Sequence, residues 1–210
     1  MKLITTGPGF DLRFIVHGFG WSDLPAGSTI VDVGGSTGST ALELARTFPS
    51  KAFKFVVQDL GETIASVSES TNTEAAEMGV TFMPHDFFTP QPISANVYLL
   101  RWILHNWPEA YCLRIIRALI PSLKNGARVL VMEIVMPAPG SIDNEPERKM
   151  RAMDLIMLQI GNAGEKDVEG WKGLFERACE DGEGKGRFVW RGVKVPEGSR
   201  LGVMEWGWEA

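Results

Sequence analysis

The chain has 210 residues, 44% of them apolar, and a net charge of -5. That length suits one domain with a real core, and the acidic balance argues against nucleic acid or an anionic membrane as partner. Cys112 and Cys179 stand far apart with no His or Cys at metal-ligand spacing, so they read as reduced thiols of a cytoplasmic protein that needs no metal. Gly7, Pro8 and Gly9 interrupt any secretory core near the start, and no apolar run reaches membrane-spanning length.

Apolar runs alternate with helical patterns along the chain. Residues 29–33 read as a short buried strand. Residues 39–47 read as a helix with Ala41, Leu42, Leu44 and Ala45 on its apolar side, closed before Pro49. A second strand spans 53–58. Residues 62–78 read as one polar surface helix stopped by Gly79. A third strand, 80–83, leads to His85, Asp86, Phe87 and Phe88, and a strongly apolar fourth spans 95–100. The pattern predicts a helix over 108–123 with Pro108 in its first turn. A fifth strand over 127–135 follows, then a solvated loop at 145–149 and a Met-rich helix over 149–160. The helix over 168–180 turns Trp171, Leu174 and Phe175 inward. Residues 188–193 and 201–206 read as a hairpin turning at 196–199. Seven strands in this order imply an α/β fold: a mostly parallel sheet, helices on both faces and an antiparallel C-terminal hairpin.

The strand tips carry the chemistry, because ligands of open α/β sheets lie at the carboxyl ends of the strands. Residues 30–38 read Ile-Val-Asp-Val-Gly-Gly-Ser-Thr-Gly, a strand entering a glycine turn that opens a helix. Asp59 ends the next strand about 20 residues further on, where an acid accepts hydrogen bonds from ribose hydroxyls. Together they predict a nucleoside-type cofactor. The spacing from Gly34 through Gly35 to Gly38 is G-G-x-x-G rather than the dinucleotide G-x-G-x-x-G. Asp32, two residues before Gly34, suits a cationic, phosphate-free ligand better than a pyrophosphate. The third tip offers Asp86 and Phe87 to an adenine. The fourth offers Arg101, Trp102 and His105, and the fifth Glu133. A histidine with a pKa near 6.5 can take a proton from a bound ligand at neutral pH.

Residues 30–38 resemble motif I of S-adenosylmethionine-dependent methyltransferases. Residues 99–112, Leu-Leu-Arg-Trp-Ile-Leu-His-Asn-Trp-Pro-Glu-Ala-Tyr-Cys, resemble the pattern L-[KR]-x-[IV]-x-H-x-W-x-D-x-x-C of plant and fungal small-molecule O-methyltransferases. The likeness continues through 53–60 (F-V-V-Q-D-L), 127–140, the D-x-x-M-L helix at 154–158 and a loop at 162–167 similar to N-x-[KR]-E-R-T. It covers roughly residues 8 to 206 in one order. The resemblance implies a Rossmann-like class I methyltransferase fold with S-adenosyl-L-methionine as cofactor. The implied acceptor is a hydroxylated aromatic or polyketide-like secondary metabolite. It implies His105 as general base, flanked by Glu133 and Glu165. It implies a cofactor site lined by Asp32, Gly34, Gly35, Gly38, Asp59, Leu60, Asp86, Phe87 and Arg101. Trp102, Asp154 and Met157 would shape the acceptor pocket.

Three departures bear on function. The family carries a helical, dimerising domain before the methyltransferase fold. Here residues 1–24 read as a lead-in and 25–210 as the methyltransferase domain, so that domain is expected to be absent. Gly164, Lys166 and Asp167 replace the loop's basic residue and Arg-Thr pair. Residues 180–186 resemble an irregular insertion. An inactive or partner-dependent relative that only binds cofactor is the alternative. An NAD-dependent oxidoreductase is disfavoured by the glycine spacing and the lack of a Tyr-x-x-x-Lys pair.

Overall fold

In the computed structural model, residues 9–180 and 186–210 are described; the expected insertion lies, apart from its two ends, outside them. Their strands are β1 (Thr29–Val33), β2 (Lys54–Asp59), β3 (Val80–Pro84), β4 (Val97–Arg101), β5 (Arg128–Glu133), β6 (Arg187–Lys194) and β7 (Gly202–Glu209). They form one seven-stranded sheet in the order β3-β2-β1-β4-β5-β7-β6. Every pairing is parallel except those of β7 with β5 and β6. The helices are α1 (Arg13–Gly18), α2 (Ser39–Thr47), α3 (Gly61–Ala65), α4 (Glu69–Glu77), α5 (Glu109–Leu119), α6 (Asn144–Gly161) and α7 (Val168–Glu180). Strand order reverses between β1 and β4, which makes their carboxyl ends the crevice for a ligand.

Alternation along the strands sends successive side chains to opposite faces. Ile30, Val57, Leu99 and Leu130 pack with α1 and α2, whereas Val31, Leu100, Val129 and Val131 pack with α5 and α7. Both faces are therefore apolar and covered. In the second layer Phe175 of α7 lies on Trp206 of β7 with ring centroids 3.8 Å apart and planes 13° apart. The segment before β1 belongs to the first layer: Phe10, Phe14, Ile15 and Trp21 are buried, and Trp21 Nε1 donates to the Ile15 carbonyl at 2.8 Å. Among the described residues no helix is long and apolar enough to cross a membrane.

Three helices differ from the sequence reading. The polar helix expected over 62–78 is two helices, because Ser68 turns the chain extended and its hydroxyl caps α4 by accepting from Thr71 N. The helix expected over 108–123 begins at Glu109, with Pro108 in an extended conformation just before it, and gives way at Ile120–Ser122 to a 3-10 turn holding Pro121. The supposed loop at 145–149 is the first part of α6. Glu145 and Glu147 there oppose the helix dipole and pair with Lys149 and Arg151 one turn on.

Candidate active site

The glycine turn after β1 is shaped by the chain's own side chains. Gly34 has φ +71, and a Cβ there would sit 2.5 Å from Ile103 Cδ1. Gly35 rests on Asp32, whose Cγ would be 2.6 Å from an added Cβ. Gly38 has φ +80 and would meet the Phe82 ring at 2.8 Å. The three glycines thus bring the backbone down onto β1, β3 and the fourth tip. Asp59 closes the turn from β2: Oδ2 accepts from Ser36 N at 2.9 Å and Oδ1 from Leu60 N at 2.8 Å. Ser36 is held at φ +53, and Leu60 is half exposed.

Beneath the turn, Asp32 is buried, with Oδ2 unpaired among the described residues. Burial pushes its pKa up to about 7 against the pull of the Arg101 guanidinium. Arg101 donates to the Phe10 carbonyl at 2.9 Å, and its Nε has no partner among the described residues. At the third tip Phe87 faces Gly34, and Asp86 turns the chain by accepting from Phe88 N at 2.9 Å. The cradle, the tip acid and two unsatisfied polar atoms fit a nucleoside bearing a charged, phosphate-free tail.

Beyond Arg101 the chain turns through Trp102 at φ +59 into the 3-10 turn Leu104–Asn106. Glu133, fully buried at the end of β5, receives this turn. Its Oε1 accepts from Ile103 N and Leu104 N at 2.9 Å, and from His105 N at 3.4 Å. Glu133 therefore grips the backbone under His105 rather than the imidazole, and its Oε2 is unpaired among the described residues. Burial raises the Glu133 pKa to about 7 despite the nearby imidazole. Glu165 does meet the ring, with Oε1 3.0 Å from His105 Nδ1. Against a Glu165 carboxylate the ring donates from Nδ1, so in the neutral imidazole the buried Nε2 is the acceptor, and it has no partner among the described residues. Burial lowers the His105 pKa, but Glu133 and Glu165 together outweigh it and hold the pKa above 6.5. His105, Glu133 and Glu165 bring a ring nitrogen and two carboxylate oxygens within 4.8 Å of one another. The Trp102 ring covers the imidazole at 4.4 Å between centroids.

The structure also engages residues that the sequence reading left unassigned. The Cys112 thiol faces the carbonyls of Leu104 and Trp107 at 3.1 and 3.2 Å and so ties the His105 turn to α5. Asn106 Nδ2 donates to the Trp102 carbonyl at 2.8 Å. Buried Gln58 and Gln91 donate to each other, Nε2 to Oε1, at 2.9 and 2.8 Å behind the second tip; a glutamine inside an apolar strand was the available signal. Met157 is buried on α6. Asp154 on the same helix is partly buried and accepts from Glu165 N at 2.8 Å. Surface hollows of about 670 and 260 Å³ lie instead along α1, β6 and the loop after it, and include none of the expected site residues.

Sheet order, glycine turn and tip acid define a Rossmann-like class I methyltransferase fold. The chain belongs to the O-methyltransferase domain family, which matches residues 18–179. It is 40% identical over 210 residues to the grayanic acid biosynthesis cluster O-methyltransferase of Cladonia grayi, covering 100% of this chain and 45% of that protein. With O-methyltransferase gsfB of Penicillium aethiopicum it shares 43% over 183 residues, 86% of this chain and 40% of that one. The chain spans about half the length of the curated relatives it matches. Its fold matches mitomycin 7-O-methyltransferase MmcR with a TM-score of 0.74 at 21% identity, covering 93% of this chain and 52% of that one. It also matches a chain described as a pericyclic reaction enzyme, with a TM-score of 0.70 at 22% identity, covering 98% and 50%.

Proposed function

We propose that this chain is the catalytic domain of an S-adenosylmethionine-dependent O-methyltransferase acting on a hydroxyl of a small aromatic or polyketide-like metabolite. The observation that carries the proposal is buried His105, with Nδ1 on Glu165 and Nε2 free, one strand tip from the glycine turn. The cofactor supplies an electrophilic methyl group on a sulfonium. Asp59 would hold the ribose hydroxyls, Phe87 the adenine face, and Asp32 with Arg101 the charged amino-acid tail. Nε2 of His105 would take the acceptor's hydroxyl proton as the oxygen attacks. Glu165 fixes the tautomer and stabilises the imidazolium, and Glu133 holds the turn in place. A positioned base contributes typically about 10²–10⁴-fold, and holding the oxygen near the methyl group contributes up to about 7–11 kcal/mol. Proximity is therefore the larger effect.

Calorimetric titration with S-adenosylhomocysteine, with NADH as control, tests the cofactor half of this reading. Micromolar binding of the first alone is expected, and binding of neither overturns it. His105→Ala tests the other half. It should keep cofactor affinity and lose methyl transfer to a panel of phenols; full turnover would remove His105 as base. The second reading, a cofactor-binding relative without methyl transfer, draws on the altered loop at 164–167. Tight binding of the cofactor with no methyl transfer from the unmodified chain would favour it.

A further inference from the structure

Asp154 stands in the α6 segment whose resemblance would give it to the acceptor pocket, but its contacts point elsewhere. Its Oδ1 accepts from Glu165 N at 2.8 Å. The same oxygen would lie 3.0 Å from a Cβ on Gly164, so the backbone before Glu165 is laid directly against the carboxylate. On the other side of Glu165 the chain is tied down by a parallel bridge between Val135 and Lys166 and by Met136 N donating to the Lys166 carbonyl at 2.9 Å. Glu165 is thus held at its own N–H by Asp154 and at the next residue by Val135 and Met136, and its fully buried side chain spans to His105 Nδ1 at 3.0 Å. On the far side of the loop, Asn162 ends α6 at φ +50. Between Asn162 and Glu165, the backbone's other bonds among the described residues are the 3.4 Å bond of Ala163 N to the Met157 carbonyl and that of Lys166 Nζ to the Gly164 carbonyl at 3.3 Å.

We propose that Asp154 is a positioning residue that seats Glu165 on His105 Nδ1, and so sets which imidazole nitrogen is free to act. It touches no reacting atom. It acts through one backbone N–H, then one carboxylate, then one ring. This rests on the reading of His105 as base only for its catalytic meaning; the positioning itself exists in the chain without cofactor or acceptor.

The experiment is ¹⁵N NMR of the imidazoles across a pH titration on the full chain, with the His105 resonances identified by their loss in His105→Ala. The unmodified chain should show one dominant tautomer protonated at Nδ1 and a pKa above the ordinary value. Asp154→Ala should give a mixture of tautomers and move the pKa down. Asp154→Asn keeps an acceptor oxygen at the same reach and should restore both. Should Asp154→Ala not fold, Asp154→Ser, too short to reach the Glu165 amide, takes its place with the same expectation. Unmodified imidazole signals in the alanine or serine variant would overturn the proposal. So would an asparagine variant that behaves like alanine, since charge rather than seating would then be at work. Methyl transfer retained by His105→Ala would remove the base assignment and leave these spectra standing, so the two failures are distinguishable.

Discussion

Replacing Asp59 by Asn changes one atom and removes half of what the side chain does. Both carboxylate oxygens are in use, on Ser36 N and Leu60 N at 2.9 and 2.8 Å. An asparagine offers one acceptor oxygen, so its NH₂ faces one of these two N–H groups. A hydrogen bond to a charged group contributes about 1.5–3 kcal/mol. Ser36 is the residue at risk, since its φ of +53 costs a non-glycine residue roughly 1–2 kcal/mol and the Asp59 bond is what holds it there. Freed, the turn relaxes away from the shape that a nucleoside needs. The expected loss of about 1.5–3 kcal/mol in binding corresponds to roughly 10- to 150-fold in Kd. Calorimetry with S-adenosylhomocysteine on the unmodified and Asp59→Asn chains reads it. In the free chain the strain released at Ser36 offsets most of the lost bond, so global stability by urea denaturation should change by no more than about 1 kcal/mol. Affinity within twofold of the unmodified chain would refute both the ribose assignment and the account of the turn.

Gly38→Ala should destabilise the fold by about 2–5 kcal/mol, combining a left-handed φ with a methyl group 2.8 Å from Phe82; chemical denaturation that shows less than 1 kcal/mol would contradict the clash. Glu133→Gln tests the cost of a buried charge. Burial raises the Glu133 pKa from 4.5 to about 7, so the folded state favours the neutral acid and loses stability as pH rises across that window. The glutamine cannot ionise, and should be more stable than the unmodified chain at pH 8 by up to about 3 kcal/mol with the difference vanishing by pH 4; an equal difference at both pH values would sink the argument. Burial pushes the Cys112 thiol to about 11, so a thiol reagent at neutral pH should label only Cys179 in the native chain and both thiols after denaturation.

The sheet was legible in the sequence because each buried strand is a short apolar run bounded by turn residues, and because the glycine turn follows the first of them. The reason for those glycines was not. Their spacing pointed to a nucleoside-type cofactor, but that a Cβ would strike Ile103, Asp32 and Phe82 depends on tertiary packing. The break at Ser68 had a local signal, a serine ahead of an acidic first turn, which the overall polarity of 62–78 masked. The start of α6 was hidden for the opposite reason: Glu145 to Lys149 looks like a solvated loop until charges one turn apart are paired. His105 and Glu165 are 60 positions apart and meet only because α6 and its closing loop fold back over the 3-10 turn. No periodicity encodes such a contact, so the resemblance had to supply it. The Asp154 bond to the Glu165 amide is likewise set by how the chain folds back, not by any pattern of residues.

Strand β7 lies between β5 and β6 yet comes last of the seven along the chain. While the chain is being synthesised, β5 can pair with β4 early, but its other edge stays open until α6, α7 and β6 have all been made. That edge carries Val129, Leu130, Val131 and Met132, all buried once β7 is in place. Open apolar strand edges are templates for pairing with other chains. The period between completion of β5 and arrival of β7 is therefore the stage at which this fold is most exposed to aggregation. Substitutions that slow the hairpin, such as at the bulge beside Gly192, should lower soluble yield more than they lower the stability of the finished molecule.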